Sequence, residues 1–378
     1  MCDARSNPNS WMRQAMIVCV VGLRGFPDVA GGIETHCGHL YPKVAALRPD
    51  DAIFVCGRRR YVGSDRYQPA PGVTVIPVAA ISNKYLETIS NTFLALLVAR
   101  FRLGADVVHL HAVGPGLLAP LAVLLGMRVV FTHHGDDYAR ANWNRFAKAV
   151  LRLGERLGTR WSHCTIAVSD SVAERLRREH PFKASAIHHI PNGADHIVGA
   201  AGKTLEALET FGLRRDGYIV SVGRPVPEKG FADLINAHRA SGVELPLVIV
   251  GADAKTAYGR ELRAMSGDNV VMTGSQPMKS VAELVGSARL FVLASHHEGL
   301  PIAALESIAL GTRVLLSDIP ANLGLGLAKE HYYPVGNVPD LAARLRSDIA
   351  NLPVVVLSDR FRWQVIAEET SRLYDELA

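Results

Sequence analysis

The stretch Ser295-His296-His297-Glu298-Gly299-Leu300-Pro301-Ile302-Ala303-Ala304-Leu305-Glu306 decides how this chain reads. An apolar run, Arg289 to Ala294, precedes it, and a second, Arg313 to Ser317, follows Gly311. Strand, glycine-proline turn, helix, glycine and strand in that order predict a β-α-β crossover in a parallel sheet. Pro301 suits the first helical turn, where a missing N–H costs nothing, and Gly311 suits the helix end. Glu298 and Glu306 then stand at the carboxyl edge of the sheet, where open α/β folds bind ligands. The N–H groups of Gly299, Leu300 and Ile302 are expected to face an anion there.

Outward from this unit the alternation continues. Upstream, apolar runs at Met16–Val21, Ala52–Cys56, Val73–Pro77, Val107–His111, Arg128–Thr132 and Thr165–Val168 predict strands. Ile33, Cys37, Leu40, Val44 and Leu47 fall on one helical face and predict a helix over Ile33–Leu47. Further helices fit near 89–101, 116–126, 143–160 and 170–179. Ile190-Pro191-Asn192-Gly193-Ala194-Asp195 is a turn cluster that reads as a domain junction. A second series follows, with strands at Tyr218–Val222, Leu247–Val250, Val270–Met272, Leu290–Ala294 and Val314–Ser317. Its helices fit near 230–240, 256–266, 279–287, 301–310 and 339–347, and Asp359–Leu377 closes the chain with helical periodicity. The fold class is therefore α/β, two doubly wound domains with a cleft between them, the default place for a ligand.

A chain of 378 residues has room for two domains with sizeable cores. Residues 1–200 carry 23 Lys and Arg against 15 Asp and Glu, whereas residues 201–378 carry 18 against 21. The basic first half suits a phospholipid surface or a phosphate-bearing acceptor, and reads equally as scattered solvated lysine and arginine. Cys2, Cys19, Cys37, Cys56 and Cys164 form no C-x-x-C pair, which argues for a reducing compartment and against a disulfide or zinc framework. Ala15–Val21 runs straight into a glycine-rich turn, as a core strand does and an export signal does not. The longest apolar stretch, Leu110 to Met127, is broken by His111, Pro115 and Pro120, so a buried helix fits it better than a membrane span. A cytoplasmic protein is expected, with contact on the inner face of the membrane limited to its surface.

Four clusters fall at predicted strand-to-helix turns. Gly22-Leu23-Arg24-Gly25-Phe26-Pro27 with Gly31-Gly32-Ile33-Glu34 follows the first strand. Gly31 and Gly32 let backbone N–H groups approach a phosphate, although a tight structural turn explains them as well and G-x-G-x-x-G is absent. Thr132-His133-His134-Gly135-Asp136-Asp137 ends a strand. A histidine at a cleft edge can bond a sugar hydroxyl or balance a diphosphate; the bland alternative is a surface histidine pair. Val222-Gly223-Arg224-Pro225-Val226-Pro227-Glu228-Lys229-Gly230 puts a guanidinium and an ammonium on one turn, where they can hold a diphosphate leaving group unless the turn is merely solvated. The fourth cluster is the segment of Glu298 and Glu306. Were it wholly helical, it would span about 12 Å, more than the roughly 5–9.5 Å between paired glycosidase carboxylates. The two glutamates then suit two parts of an extended ligand, or are solvated helix residues with Glu298 at the positive end.

Together and in this order the clusters resemble the retaining glycosyltransferases of family 4, which have the GT-B fold: two Rossmann-like domains facing each other across a cleft. The specific part is E-x7-E with Glu298-Gly299-Leu300-Pro301, followed by G-x-x-V at Gly311–Val314; Gly223-Arg224 with Pro227-Glu228-Lys229-Gly230 is nearly as specific. Gly22–Thr35, Ser82-Asn83-Lys84-Tyr85-Leu86-Glu87-Thr88, His111-Ala112-Val113-Gly114-Pro115 and Leu151-Arg152-Leu153-Gly154-Glu155-Arg156 resemble the N-terminal domain of bacterial rhamnosyltransferase-like enzymes of polysaccharide assembly. The resemblance implies an acceptor-side domain at 1–195, a nucleotide-sugar donor domain at 196–358, and a last segment, 359–378, that crosses back onto the first. It implies that Glu298 contacts the donor sugar, that Glu306 binds the ribose, and that Arg224 and Lys229 hold the diphosphate with the amides of Gly299 and Leu300. Gly31, Gly32 and Gly223 would line the donor site, and His134, directly before Gly135, would be the cleft histidine. One departure stands out: after Asp318-Ile319-Pro320 the family often has an acidic residue, and Ala321-Asn322-Leu323-Gly324-Leu325-Gly326 has none.

The implied activity moves a hexosyl or deoxyhexosyl unit from a nucleotide-diphosphate sugar to a lipid-linked or glycan acceptor, with retention, in bacterial surface polysaccharide synthesis. Its catalytic residues would be His134, Arg224, Lys229 and Glu298. The chain has no D-x-D triplet, so no metal or other cofactor is expected, and no nucleic-acid partner. Arg58-Arg59-Arg60-Tyr61 and the segment Arg145–Arg160 suit anionic lipid or a solvated basic face. A GT-B-fold epimerase or phosphorylase and a non-catalytic nucleotide-sugar-binding protein stay open as alternatives, while a nicotinamide dehydrogenase is disfavoured without G-x-G-x-x-G.

Overall fold

The structure, a computed structural model, describes residues 15–377 except 28, 30, 84–85, 136–143, 203–204, 348 and 350. Cys2, Lys84, Tyr85, Asp136 and Asp137, named above, lie outside the described residues.

Two sheets organise the chain. The first contains β1 (Ile17–Val21), β2 (Ala52–Arg58), β3 (Tyr67–Ala70), β4 (Val73–Val78), β5 (Val107–His111), β6 (Arg128–His133), β7 (Cys164–Ala167) and β8 (Ile187–His189), in the order β3-β4-β2-β1-β5-β6-β7-β8. The second contains β9 (Ile219–Val222), β10 (Leu247–Val250), β11 (Val270–Gly274), β12 (Leu290–Leu293), β13 (Val314–Ser317) and β14 (Tyr332–Tyr333), in the order β11-β10-β9-β12-β13-β14. Strands pair in parallel throughout, except β3 with β4. Helices on both faces bury the central strands completely, which is why Val18, Cys19, Val20 and Val21 form an unbroken apolar run instead of an alternating one. The chain winds to one side of β1 and then returns to the other at β5; β9 and β12 repeat that reversal. Loops at the carboxyl ends of these strands flank the two switch points, the usual ligand position.

The last helix, Trp363–Asp375, packs on the first sheet's helix Gly32–Leu47, where Trp363, Ile366 and Tyr374 share a core with Leu40, Tyr41 and Val44. Buried Arg48 ties the two together, with Nε 2.6 Å from Asp51 and Nη1 2.8 Å from Asp375. The turn at 190–195 is tied to the same helix: the Ala194 N–H donates to the Phe361 carbonyl, and the Trp363 N–H donates to Asp195 Oδ1, both at 2.9 Å.

The helix of the opening segment begins at Ile302 and ends at Ala309, with Pro301 at its N-cap and Gly311 beyond it at φ +75. Glu298 therefore stands in the loop before the helix, and the wholly helical spacing considered for the two glutamates does not apply. In the helix Arg145–Trp161, Gly154 and Gly158 face inward, while Arg145, Phe146, Arg152, Leu153, Arg156, Arg160 and Trp161 are exposed. No helix among the described residues is long and apolar enough to cross a membrane.

Candidate functional site

On the second domain the site begins with Gly230. Its φ is +64, and a Cβ there would lie 1.9 Å from the Ala294 carbonyl oxygen, so only glycine lets the turn after β9 press against the end of β12. The His296 N–H fixes the approach by donating to the Glu228 carbonyl at 2.9 Å. Lys229 Nζ consequently lies 2.6 Å from Glu298 Oε1, and the Ser295 hydroxyl donates to the same oxygen at 2.6 Å. Both charged side chains are largely buried, which strengthens such a charge-assisted bond. Arg224, on the same turn, is exposed and makes no side-chain hydrogen bond among the described residues. The N–H groups of Gly299 and Leu300 also have no partner among the described residues, whereas that of Ile302 donates to the Leu300 carbonyl at 2.9 Å. Two amides, not the expected three, can meet an anion.

Glu306 is on the helix Ile302–Ala309, with Oε1 3.2 Å from His196 Nε2. The Trp363 indole N–H donates to His196 Nδ1 at 3.0 Å, so the imidazole proton sits on Nε2, the side of Glu306. The glutamate expected at the ribose thus stands beside His196 of the domain junction, which the last helix holds, although the geometry makes no hydrogen bond at Nε2.

The first domain meets this site backbone to backbone. Gly135 has φ +126, and a Cβ there would lie 3.1 Å from Gly299 Cα; one on Gly299 would lie 2.8 Å from the His134 carbonyl oxygen. His133 is fully buried, which rules out the surface pair. Its Nδ1 accepts from the Gly135 N–H at 3.2 Å and its Nε2 lies 2.6 Å from Glu155, which Arg175 also binds at 2.9 Å. Burial alone would raise the Glu155 carboxyl, but the bonds from His133 and Arg175 bring it down to about 2. His133 is therefore a brace behind the loop. His134 is half-buried at the cleft, with Nε2 2.9 Å from His111 Nδ1; burial and neighbouring imidazoles hold both rings well below the ordinary histidine value.

Arg24 forms a two-point pair with Glu34, 3.0 Å from Nε to Oε1 and 3.1 Å from Nη2 to Oε2, and Gly31 packs directly against it. Gly32, by contrast, has no atom within 4 Å of where a Cβ would stand. Gly223 lies against Lys229 and Phe231. The structure thus gathers His134, Gly299, Glu298 and Lys229 at one place, and sets Glu306 at the junction side.

A cavity of ≈250 Å³ opens between the domains there. Ser171, Val172, Arg175 and Arg178 line one side, and His296, His297, Glu298, Gly299, Ile319, Pro320 and Ala321 the other. Arg178 and His196 carry no motif that singles them out in the sequence: Arg178 lies within the helix expected near 170–179, and His196 has only its place after the Asn192-Gly193 turn. Glu155 belongs to the Leu151–Arg156 stretch of the family resemblance, with no role attached to it there.

Residues 30–197 match the family model for Glycosyltransferase Family 4, and residues 210–347 match that for Glycosyl transferases group 1. The chain is similar to the alpha-maltose-1-phosphate synthase of Mycolicibacterium smegmatis, 27% identical over 72% of this chain and 80% of that protein. It is also similar to the GDP-mannose:cellobiosyl-diphosphopolyprenol alpha-mannosyltransferase of Xanthomonas campestris, 28% identical over 57% of each. Sucrose-phosphate synthase from Thermosynechococcus elongatus shares its fold, with a TM-score of 0.79 at 22% identity over 96% of this chain and 99% of that one. Two facing α/β domains and these matches over both halves place the chain among the family 4 glycosyltransferases of GT-B fold, and it is a glycosyltransferase enzyme.

Proposed function

We propose that the protein transfers a sugar from a nucleotide-diphosphate donor to a lipid-linked or glycan acceptor, with retention at the anomeric carbon, in the synthesis of a bacterial surface polysaccharide. The observation that carries this reading is the meeting of the His134–Gly135 loop with Glu298–Gly299, and of Glu298 with Lys229, at one point of the cleft. In this reading residues 1–195 with 359–378 form the acceptor side and residues 196–358 the donor side.

A diphosphate beside Lys229 competes with Glu298 for the ammonium and releases the carboxylate to sugar hydroxyls. Charge growing on the leaving diphosphate falls to Lys229, Arg224 and the amides of Gly299 and Leu300, of which the amides are fixed before the reaction starts. Gly32 leaves room for the phosphates, Gly31 and Gly223 belong to the two turns that line the donor site, Glu306 takes the ribose, and closure of the domains brings His134 to the sugar. These groups carry the charge without a metal.

The exposed face of Arg145–Trp161 favours an acceptor at a membrane surface. Phe146, 77% exposed, stands with Leu153 and Trp161 among four exposed arginines, a composition that suits anionic lipid. The Arg58–Tyr61 patch lends less, because Arg58 and Arg60 lie 3.4 and 3.6 Å from Glu87. The mannosyltransferase relative, by its name, acts on a polyprenol-linked acceptor.

Incubation with nucleotide sugars and candidate acceptors tests the reading. Release of nucleoside diphosphate and a product whose anomeric proton coupling matches the donor are expected; an inverted product overturns retention, and an epimer formed from donor alone favours the epimerase alternative.

A further inference from the structure

Beneath the cleft three imidazoles converge: His36 on the helix Gly32–Leu47, His111 at the end of β5 and His134 just after β6 each bring one ring nitrogen within 4.8 Å of the others. One of them has its lone pair fixed by its hydrogen bond. Asn192 Oδ1 only accepts, so His36 Nδ1, 2.7 Å away, donates to it and Nε2 carries the lone pair. That atom is buried without a hydrogen-bond partner among the described residues, a costly condition unless something else binds it. His111 Nε2 lies 2.6 Å from the Tyr41 hydroxyl, which reaches His109 Nδ1 at 3.0 Å; His109 Nε2 in turn lies 2.6 Å from the Thr132 hydroxyl. His36 and His111 thus each have one nitrogen held by an oxygen atom, as metal-binding histidines do, while the second nitrogen of His111 shares a hydrogen bond with His134 Nε2 whose proton an ion would displace.

We propose that His36, His111 and His134 form a site for a divalent ion of the zinc class, whose binding withdraws His134 from the donor cleft. Three imidazoles favour Zn²⁺ and its neighbours in the transition series over Mg²⁺ or Ca²⁺. Tetrahedral bonds of about 2.0–2.1 Å set ligand nitrogens about 3.4 Å apart, between the 2.9 Å of His111 and His134 and the 4.8 Å bound on the set. His134, half-buried, is the least enclosed of the three. The cysteine pattern, which argued against a zinc framework, does not bear on an all-histidine site. Ion binding stands on this geometry alone; the inhibitory effect rests on the proposed role of His134.

Chelator-stripped full-length protein titrated with Co²⁺ tests the site. A strong visible band of tetrahedral cobalt saturating at one equivalent is expected, bleached by one equivalent of Zn²⁺ and absent from His36→Gln. X-ray absorption at the zinc edge of the wild-type protein needs no variant and should show three imidazole nitrogens around the metal. An equal cobalt band in His36→Gln, or fewer than three imidazoles, overturns the site. In the transfer assay Zn²⁺ should raise the apparent KM for donor at least tenfold in wild type and leave His36→Gln unaffected; equal inhibition of both overturns the proposal. A three-imidazole zinc site with undiminished turnover would leave the ion site standing and overturn both the inhibition and the placing of His134 against the donor.

Discussion

Gly135→Ala tests the interdomain contact without touching a charge. Two penalties arise. The residue has φ +126, where an L side chain is strained by about 1–3 kcal/mol. The new methyl carbon would also lie 3.1 Å from Gly299 Cα, well inside the roughly 3.5–4.0 Å optimum for carbon atoms. The partner is backbone and cannot swing aside, so the two loops must part by roughly half an ångström or more. A misplacement approaching 1 Å at a reacting centre costs on the order of 100-fold in rate. Nucleoside diphosphate release should therefore fall by about that factor, while a urea melt shows a loss of about 1–3 kcal/mol. Turnover within twofold of wild type, in a variant with the same secondary structure, would refute the reasoning.

Gly32→Ala is its counterpart: with open space around it and no left-handed backbone, it should leave stability within about 0.5 kcal/mol, yet raise the donor KM, which donor-concentration series would reveal. Trp363→Ala empties a buried site and removes the indole bond to His196, so chemical denaturation should register a loss of about 3–5 kcal/mol. Stability should fall as pH drops from about 6.5 to 4, because burial holds His36 at about 4 and His109 at about 3. In that window the unfolded chain binds protons that the native chain does not. Each of these two histidines then steepens the loss by up to about 1.4 kcal/mol per pH unit, Glu155 extends it below about pH 4.5, and melts at a series of pH values should show no such slope above pH 7.

Strands buried on both faces announce themselves as apolar runs, and every run named from the sequence lies on a strand. The edge strands β3, β8 and β14 escaped for physical reasons. β3 contains Pro69 and pairs antiparallel, while β8 and β14 have three and two residues, too few to show a pattern. Pro301 and Gly311 marked the helix of the E-x7-E segment to within one position, but not that Glu298 would stand before it. The glycine-rich turns located the site, because close backbone approach demands glycine at Gly230 and Gly135. What their atoms approach depends on how the sheets face each other, and local patterning carries no such information. The same holds for His36, His111 and His134, which are remote in sequence and become neighbours only because β5 and β6 pair beside β1.

The most direct test of the central claim, that the cleft grips a diphosphate through two cations and exposed amides, is donor turnover by the Arg224→Ala/Lys229→Ala double variant. A loss of about 100-fold or more in kcat/KM with an unchanged circular dichroism spectrum is expected; normal turnover of the donor would contradict the account.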